Sequence, residues 1–144
     1  MVVENIMSKT VVTITMDDSL NVMKEIFDNT RLHHLLVVEQ GELIGVISDR
    51  DYLSALSPNL GTAAETSKDV ATLNKRAHQI MSRRPVTLLP DAGIYDAIKI
   101  FNNHNLSCIP VVDENHKPIG IISWRDIFKV LESNHDKQQG NTVN

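Results

Sequence analysis

Ile44-Gly45-Val46-Ile47-Ser48-Asp49-Arg50-Asp51 and Ile119-Gly120-Ile121-Ile122-Ser123-Trp124-Arg125-Asp126 are two renderings of one phrase. In each, an apolar run containing one glycine ends in Ser-x-Arg-Asp. The run reads as a buried strand. A serine with a carboxylate three positions on reads as a helix start. Agreement spreads outward from there. Ile6-Met7-Ser8 matches Ile80-Met81-Ser82, Val12-Thr13 matches Val86-Thr87, Asp17 matches Asp91, and Ile26-Phe27 matches Ile100-Phe101. The copies stay 74 residues apart until one extra residue in the 113–118 turn. Such self-similarity implies one structural unit used twice.

Each copy reads as strand, helix, strand, strand, helix. Residues 11–15 are β-branched and predict a strand. Asp17-Asp18-Ser19 supplies caps, after which Leu20, Met23, Ile26 and Phe27 recur at helical spacing. In the second copy Asp91 is the expected cap, with Ile94, Ala97, Ile98 and Phe101 as the stripe. Residues 35–38 and 43–47 form a hairpin around Glu39-Gln40-Gly41, repeated by 109–112 and 119–122. Their near-continuous apolar character suggests strands covered on both sides. Short helices follow over 49–56 and 124–131. About 50 residues bury too little surface to stand alone. The expected architecture is therefore α+β, with two β-α-β-β-α motifs packed as a pseudo-twofold pair. The first motif is placed at 1–60, an inter-motif loop at 61–75, the second motif at 76–132, and a frayed polar tail at 133–144.

Composition narrows the function classes. An apolar fraction of 42% and a charged fraction of 22% describe an ordinary globular chain. The net charge of −4 argues against nucleic acid, whose phosphates call for a basic excess. The single Cys108 cannot form an intramolecular disulfide and suits a reducing compartment. No apolar run approaches a membrane span, and the N-terminus does not read as a signal peptide. A cytoplasmic location is expected.

Two readings of Ser48-x-x-Asp51 and Ser123-x-x-Asp126 stay open. One is a capping box, in which serine and carboxylate satisfy the first turn's amides. In the other, the same turn offers a hydroxyl, a carboxylate and amides to a ligand, with Arg50 and Arg125 as charge-assisted donors. A serine can cap while the aspartate faces a cleft, so the readings are compatible.

The duplicated unit, with Ile-Met-Ser before the first strand, Val-Thr within it and Gly-x-Ile-Ser-x-x-Asp after the third, resembles a tandem pair of CBS motifs, a Bateman module. The Asp49-Arg50-Asp51 run and the long inter-copy loop are similar to the CBS pair of acetoin-utilisation-type proteins. The resemblance implies a regulatory module, not an enzyme. It would bind AMP, ADP, ATP or S-adenosylmethionine between motifs, form a homodimer through helix faces led by Phe27 and Phe101 and through the second helices, and report occupancy to a regulated protein. An adenine nucleotide would be the regulatory ligand, with no cofactor required. Position by position, Asp51 and Asp126 would hold ribose hydroxyls beside Ser48 and Ser123. Arg50, Arg125 and His33 would face phosphate. Thr10, Val11, Val12, Thr13, Arg84, Pro85, Val86, Thr87, Ile109 and Pro110 would border adenine. A ligand-free interaction module is the alternative.

The copies differ where Leu36 stands against Pro110 and Asp49 against Trp124, so two unequal sites are expected. Trp124 would either stack on a ligand or crowd it. The acidic pair Asp49 and Asp51 suggests AMP or ADP over ATP. Adjacent His33 and His34 point to opposite faces of a strand and cannot share a metal. Cys108 reads as a small buried hydrophobe, and Lys75-Arg76 with Arg83-Arg84 as a solvated basic cluster.

Overall fold

The computed structural model describes residues 1–142. It holds two compact units, and these are not the two sequence copies. One comprises Val12–Pro85; the other comprises Met1–Val11 together with the chain from Val86 onward. The segment that introduces each copy therefore packs with the other copy.

In the first of these units, β1 (Thr13–Ile14), β2 (His34–Glu39) and β3 (Glu42–Ser48) follow the predicted order, with α1 (Leu20–Asn29) after β1 and α2 (Asp49–Ala55) after β3. The linker then forms α3 (Ser67–Ala71), a 3-10 turn at Thr72–Asn74, and α4 (Ala77–Ile80) before β4 (Ser82–Arg83). The sheet order is β1-β2-β3-β4, with β1 parallel to β2 and the other pairs antiparallel. Ser19 caps α1 by accepting from the Val22 amide at 3.4 Å, while Asp18 accepts from Thr15. Leu20, Met23, Leu35, Val37 and Ile47 fill the core with Ala77 and Met81 from the introducing segment of the second copy.

The other unit repeats this plan in part, with α5 (Ile94–Asn103), β5 (Cys108–Val112), β6 (Pro118–Ser123) and α6 (Trp124–Thr142); its sheet has two strands, and the expected first strand is reduced to a single bridge of Leu88 with Val111. All five residues of β5 are buried, as its apolar run implies. The introducing segment takes the place of β4: Ser8 exchanges backbone hydrogen bonds with Ile121 at 2.9 and 3.0 Å. Its Val3 is fully buried with Ile94, Ala97, Phe101, Ile109 and Ile122.

Two expectations are corrected. The N-cap of α5 is Gly93, not Asp91; Asp96 reaches back to accept from the Gly93 amide at 3.0 Å. Asp91 stands two residues too early to serve the first turn. The second correction is that α6 runs on through residues 133–142 instead of fraying after Leu131. That stretch contains no proline to interrupt the helix ladder. Residues 143 and 144 of the expected tail lie outside the described residues.

A methionine and a glycine hold each introducing segment in place. A methyl group built on Gly45 of β3 would lie 2.6 Å from Met81 Sδ and 3.2 Å from its Cβ. On Gly120 of β6 it would strike the Sδ and Cγ atoms of Met7. Only a residue without a side chain leaves room there for a thioether lying flat on the strand. Gly45→Ala is therefore expected to cost about 1–3 kcal/mol in urea unfolding, and markedly less when Met81 is already alanine. Equal costs in the two backgrounds would show that Gly45 and Met81 do not pack as described.

Candidate functional site

Each hairpin delivers its second strand directly into a helix, and Ser-x-x-Asp sits at that junction. In the first copy Ser48 caps α2. The Asp51 amide donates to Ser48 Oγ at 3.0 Å, and the Ser48 amide donates to Asp51 Oδ2 at 2.9 Å. This is a complete capping box made with aspartate. In the second copy the Ser123 amide donates to Asp126 Oδ2 at 2.8 Å, and the Ser123 hydroxyl donates to the same oxygen at 3.2 Å. The Ser48 hydroxyl thus accepts while that of Ser123 donates. All four residues are half-buried, and in both copies the box uses only Oδ2 of the aspartate. The other carboxylate oxygen is not committed to the cap.

His33 lies beside this junction. Its carbonyl accepts from the Asp49 amide at 2.8 Å, and its ring Nδ1 lies 2.8 Å from Asp49 Oδ2. A carboxylate only accepts, so Nδ1 carries the proton. His33 is thereby engaged with Asp49, and part of the acidity expected to repel a triphosphate already has a partner. Arg50 and Arg125 are exposed. His34, opposite Ser48 on β2, is half-buried. Burial holds its pKa below the ordinary 6.5; the Asp49 and Asp51 carboxylates pull it back up in part, and His33 opposes them.

The residues expected around adenine fall into two groups. Val12 and Thr13 border β2: Thr13 pairs with Leu36, and the Leu36 amide donates to the Val12 carbonyl at 3.0 Å. Arg84 and Pro85 follow β4, with Arg84 exposed at a φ of 52°. Thr10, Val11, Val86 and Thr87 belong to the other unit and are exposed or half-buried. Ile109 and Pro110 are both fully buried. Ile109 is a core residue packed with Phe101 and Ile122, because β5 is covered on both faces.

Asp126 also lines an open cleft of about 320 Å³ between the N-terminal residues Asn5 and Ile6 and the α6 face carrying Lys129, Ser133 and Lys137. Lys129 was not singled out from sequence. Its signal was available, since three residues past Asp126 on a helix is the same face.

Trp124 is packed on one side and 40% exposed. Its ring packs against Phe101 at 4.9 Å and Phe128 at 5.8 Å between centroids, and its indole N–H donates to the Leu106 carbonyl at 3.3 Å. Cys108 is buried, which pushes its thiol up to about 12, so it is no thiolate nucleophile at neutral pH. Among the described residues no three His, Cys, Asp or Glu side chains gather as a metal site. No helix among them is long and apolar enough to cross a membrane.

The sequence profile of the CBS domain family matches residues 3–58 and 77–133. The chain belongs to the CBS-domain family. It is 32% identical over 131 residues to a CBS domain-containing protein of Dictyostelium discoideum, covering 90% of each chain. It is 30% identical over 123 residues to an uncharacterised protein of Methanocaldococcus jannaschii. That match takes in 85% of this chain but only 37% of the relative, so this CBS pair spans about a third of that protein's length. Among solved structures, a Vibrio cholerae protein described as an acetoin utilisation protein superposes with a TM-score of 0.75 at 21% identity, over 97% of this chain and 96% of that one. The CBS pair of protein MJ0100, solved with 5′-methylthioadenosine and S-adenosyl-L-methionine, superposes at 0.73 with 26% identity, over 93% and 98%. CBSX2 of Arabidopsis thaliana, solved with AMP, gives 0.75 at 20% identity, over 93% and 98%. The CBS-pair fold is thus established.

The depressed pKa of His34 has a testable sign. The folded state holds the ring neutral, so its contribution is present above pH 6.5 and is lost as the pH falls through the folded value. The thermal midpoint of the wild type should drop on acidification below pH 6.5, and His34→Asn should flatten that limb. An unchanged slope in the variant would show that His34 does not carry it.

Proposed function

We propose that this CBS pair is a regulatory, non-catalytic module that binds an adenosine-containing ligand and passes its occupancy to another protein. The observation that carries the reading is the twice-built Ser-x-x-Asp helix start. In each copy the cap leaves one aspartate oxygen uncommitted, and a carboxylate can accept from the vicinal hydroxyls of a ribose. Asp51 and Asp126 are the ribose residues, with Ser48 and Ser123 beside them. Arg50 and Arg125 are exposed donors for phosphate or a carboxylate. The MJ0100 pair, at 26% identity, holds 5′-methylthioadenosine and S-adenosylmethionine, so a nucleoside without phosphate is within the chemistry of a relative.

Regulation follows from linkage. A ligand shifts a partner's affinity only by its differential affinity for two arrangements of the module. A homodimer in the cytoplasm is the proposed working form. Leu53, one turn into α2, and Trp124, Phe128 and Leu131 along α6 are exposed apolar side chains that suit a contact between copies. The same side chains favour the second reading, an interaction module with no ligand.

Thermal unfolding separates the two readings. S-adenosylmethionine, 5′-methylthioadenosine or AMP at about a hundred times its dissociation constant should add about 2.7 kcal/mol. No stabilisation by any of the three at millimolar concentration would favour the interaction module. Asp126→Asn keeps a neutral acceptor for the Ser123 amide, so stability should change by about 1 kcal/mol or less. Affinity, measured by calorimetry, should fall about tenfold. An unchanged affinity in both Asp51→Asn and Asp126→Asn would remove the proposed ribose role.

A further inference from the structure

The second copy opens a groove where the first copy ties a helix end down. The cleft of about 320 Å³ along α6 is lined by Ile6 and Val130, which pack on the core, and by Asp126 and Lys129. All four belong to one compact unit. Their counterparts in the first copy are Ile80, Ala55, Asp51 and Ser54. There α2 ends at Ala55. Lys75, the counterpart of Met1, reaches across and donates from Nζ to the Ala55 carbonyl at 2.8 Å. In the second copy the helix runs on past Val130, so no terminal carbonyl stands at that place. A methionine side chain in place of Lys75 has no proton to donate.

Asp126 and Lys129 bring opposite charges to the groove one helical turn apart. Residues three apart on a helix are neighbours, about 5–6 Å between Cβ atoms. Helical side chains lean towards the N-terminus, which carries Lys129 back over Asp126. Among the described residues the ion pairs are Lys24 with Asp28 and His33 with Asp49, so Asp126 and Lys129 are paired neither with each other nor with another side chain. Glu132 lines the other side of Lys129 without an ion pair to it. Asp126 commits only Oδ2 to the cap. A carboxylate oxygen and an ammonium thus stand side by side over an apolar floor.

We propose that this groove is a second ligand site, for a free α-amino acid with an apolar side chain. The α-ammonium donates to the uncommitted oxygen of Asp126, and the α-carboxylate accepts from Lys129 Nζ. The side chain lies on Ile6 and Val130, beside Met1, which is 67% exposed. A single exposed charge contributes little, but a zwitterion uses both at once from one carbon atom, and its side chain adds apolar burial. A simple anion would face Asp126, and a simple cation would face Lys129. The first copy lacks the site, with Ser54 in place of Lys129 and Lys75 across the gap. The amino acid takes the oxygen that the ribose reading assigns to a hydroxyl, so amino acid and nucleoside exclude each other at the second copy.

The test is an amide NMR titration and calorimetry of the full chain with L-leucine and L-methionine, in wild type and Lys129→Gln. Lys129 is exposed, so the variant keeps its fold. Saturable shifts at Ile6, Asp126 and Lys129 are expected while Asp51 and Ser54 stay still, with affinity about tenfold lower in Lys129→Gln. N-acetyl-L-leucine lacks the ammonium and L-leucinamide lacks the carboxylate; each should bind about tenfold or more weakly than leucine. Unmoved amides at millimolar amino acid, an affinity unchanged by Lys129→Gln, or either blocked leucine binding as tightly as leucine would overturn the inference. No nucleoside enters these measurements, so such a failure leaves the nucleoside reading to its own test.

Discussion

A thioether lying on a glycine is the contact on which the fold's connectivity turns. Met81 occupies the face of Gly45, and Met7 that of Gly120. Each methionine introduces one copy and packs in the unit built around the other. The exchange is carried further by matched backbone pairs: Ser82 with Val46 and Ser8 with Ile121, Arg76 with Ser19 and Val2 with Gly93. Ala77 and Val3, both at 0% exposure, complete the two cores from the same segments. Neither copy can therefore finish its core from its own residues. Duplication here comes with an exchange of introducing segments between the copies.

With that frame fixed, the same junction is presented twice, each time at the end of a hairpin's second strand. A serine and an aspartate three apart must serve the first helical turn, because its amides have no partners within the helix. Half of the carboxylate suffices for this. The remaining oxygen is held at a defined position by a bond already made, which limits the entropy a ligand must remove on binding. The cap and the proposed ribose contact are thus one device. The differences lie around it: a serine hydroxyl that accepts in one copy and donates in the other, an aspartate engaged by His33 in one and a tryptophan packed between phenylalanines in the other, and a strand edge closed by Leu36 or left open by Pro110.

Much of this was legible in sequence because it is local. Near-continuous apolar runs located the hairpins, and helical apolar spacing and caps located α1, α2 and α5 to within a residue or two; the offset between copies disclosed the duplication. What escaped is non-local. Nothing near Met7 in the chain announces Gly120, so the sequence copies look like the folding units when they are not. The cap of α5 was misplaced because Asp91 resembles a cap, whereas Gly93 supplies the extended conformation and Asp96 the acceptor. The polar stretch after Leu131 has no apolar stripe to announce a helix. His33 could be seen to carry charge chemistry, yet its engagement with Asp49 depends on strand register. The contrast between Leu36 and Pro110 was visible; that the first strand pairs at two positions in one copy and by a single bridge in the other required the ladder.

The central claim is that the two helix starts hold a ligand as well as a cap. The most direct measurement is an amide NMR titration of the full chain with S-adenosylmethionine, following Ser48, Asp51, Ser123 and Asp126. Saturable shifts at one of these pairs or both, while amides of the α1 core remain still, are the predicted result. Saturating ligand that leaves all four amides unmoved would contradict the account and leave these junctions as caps alone.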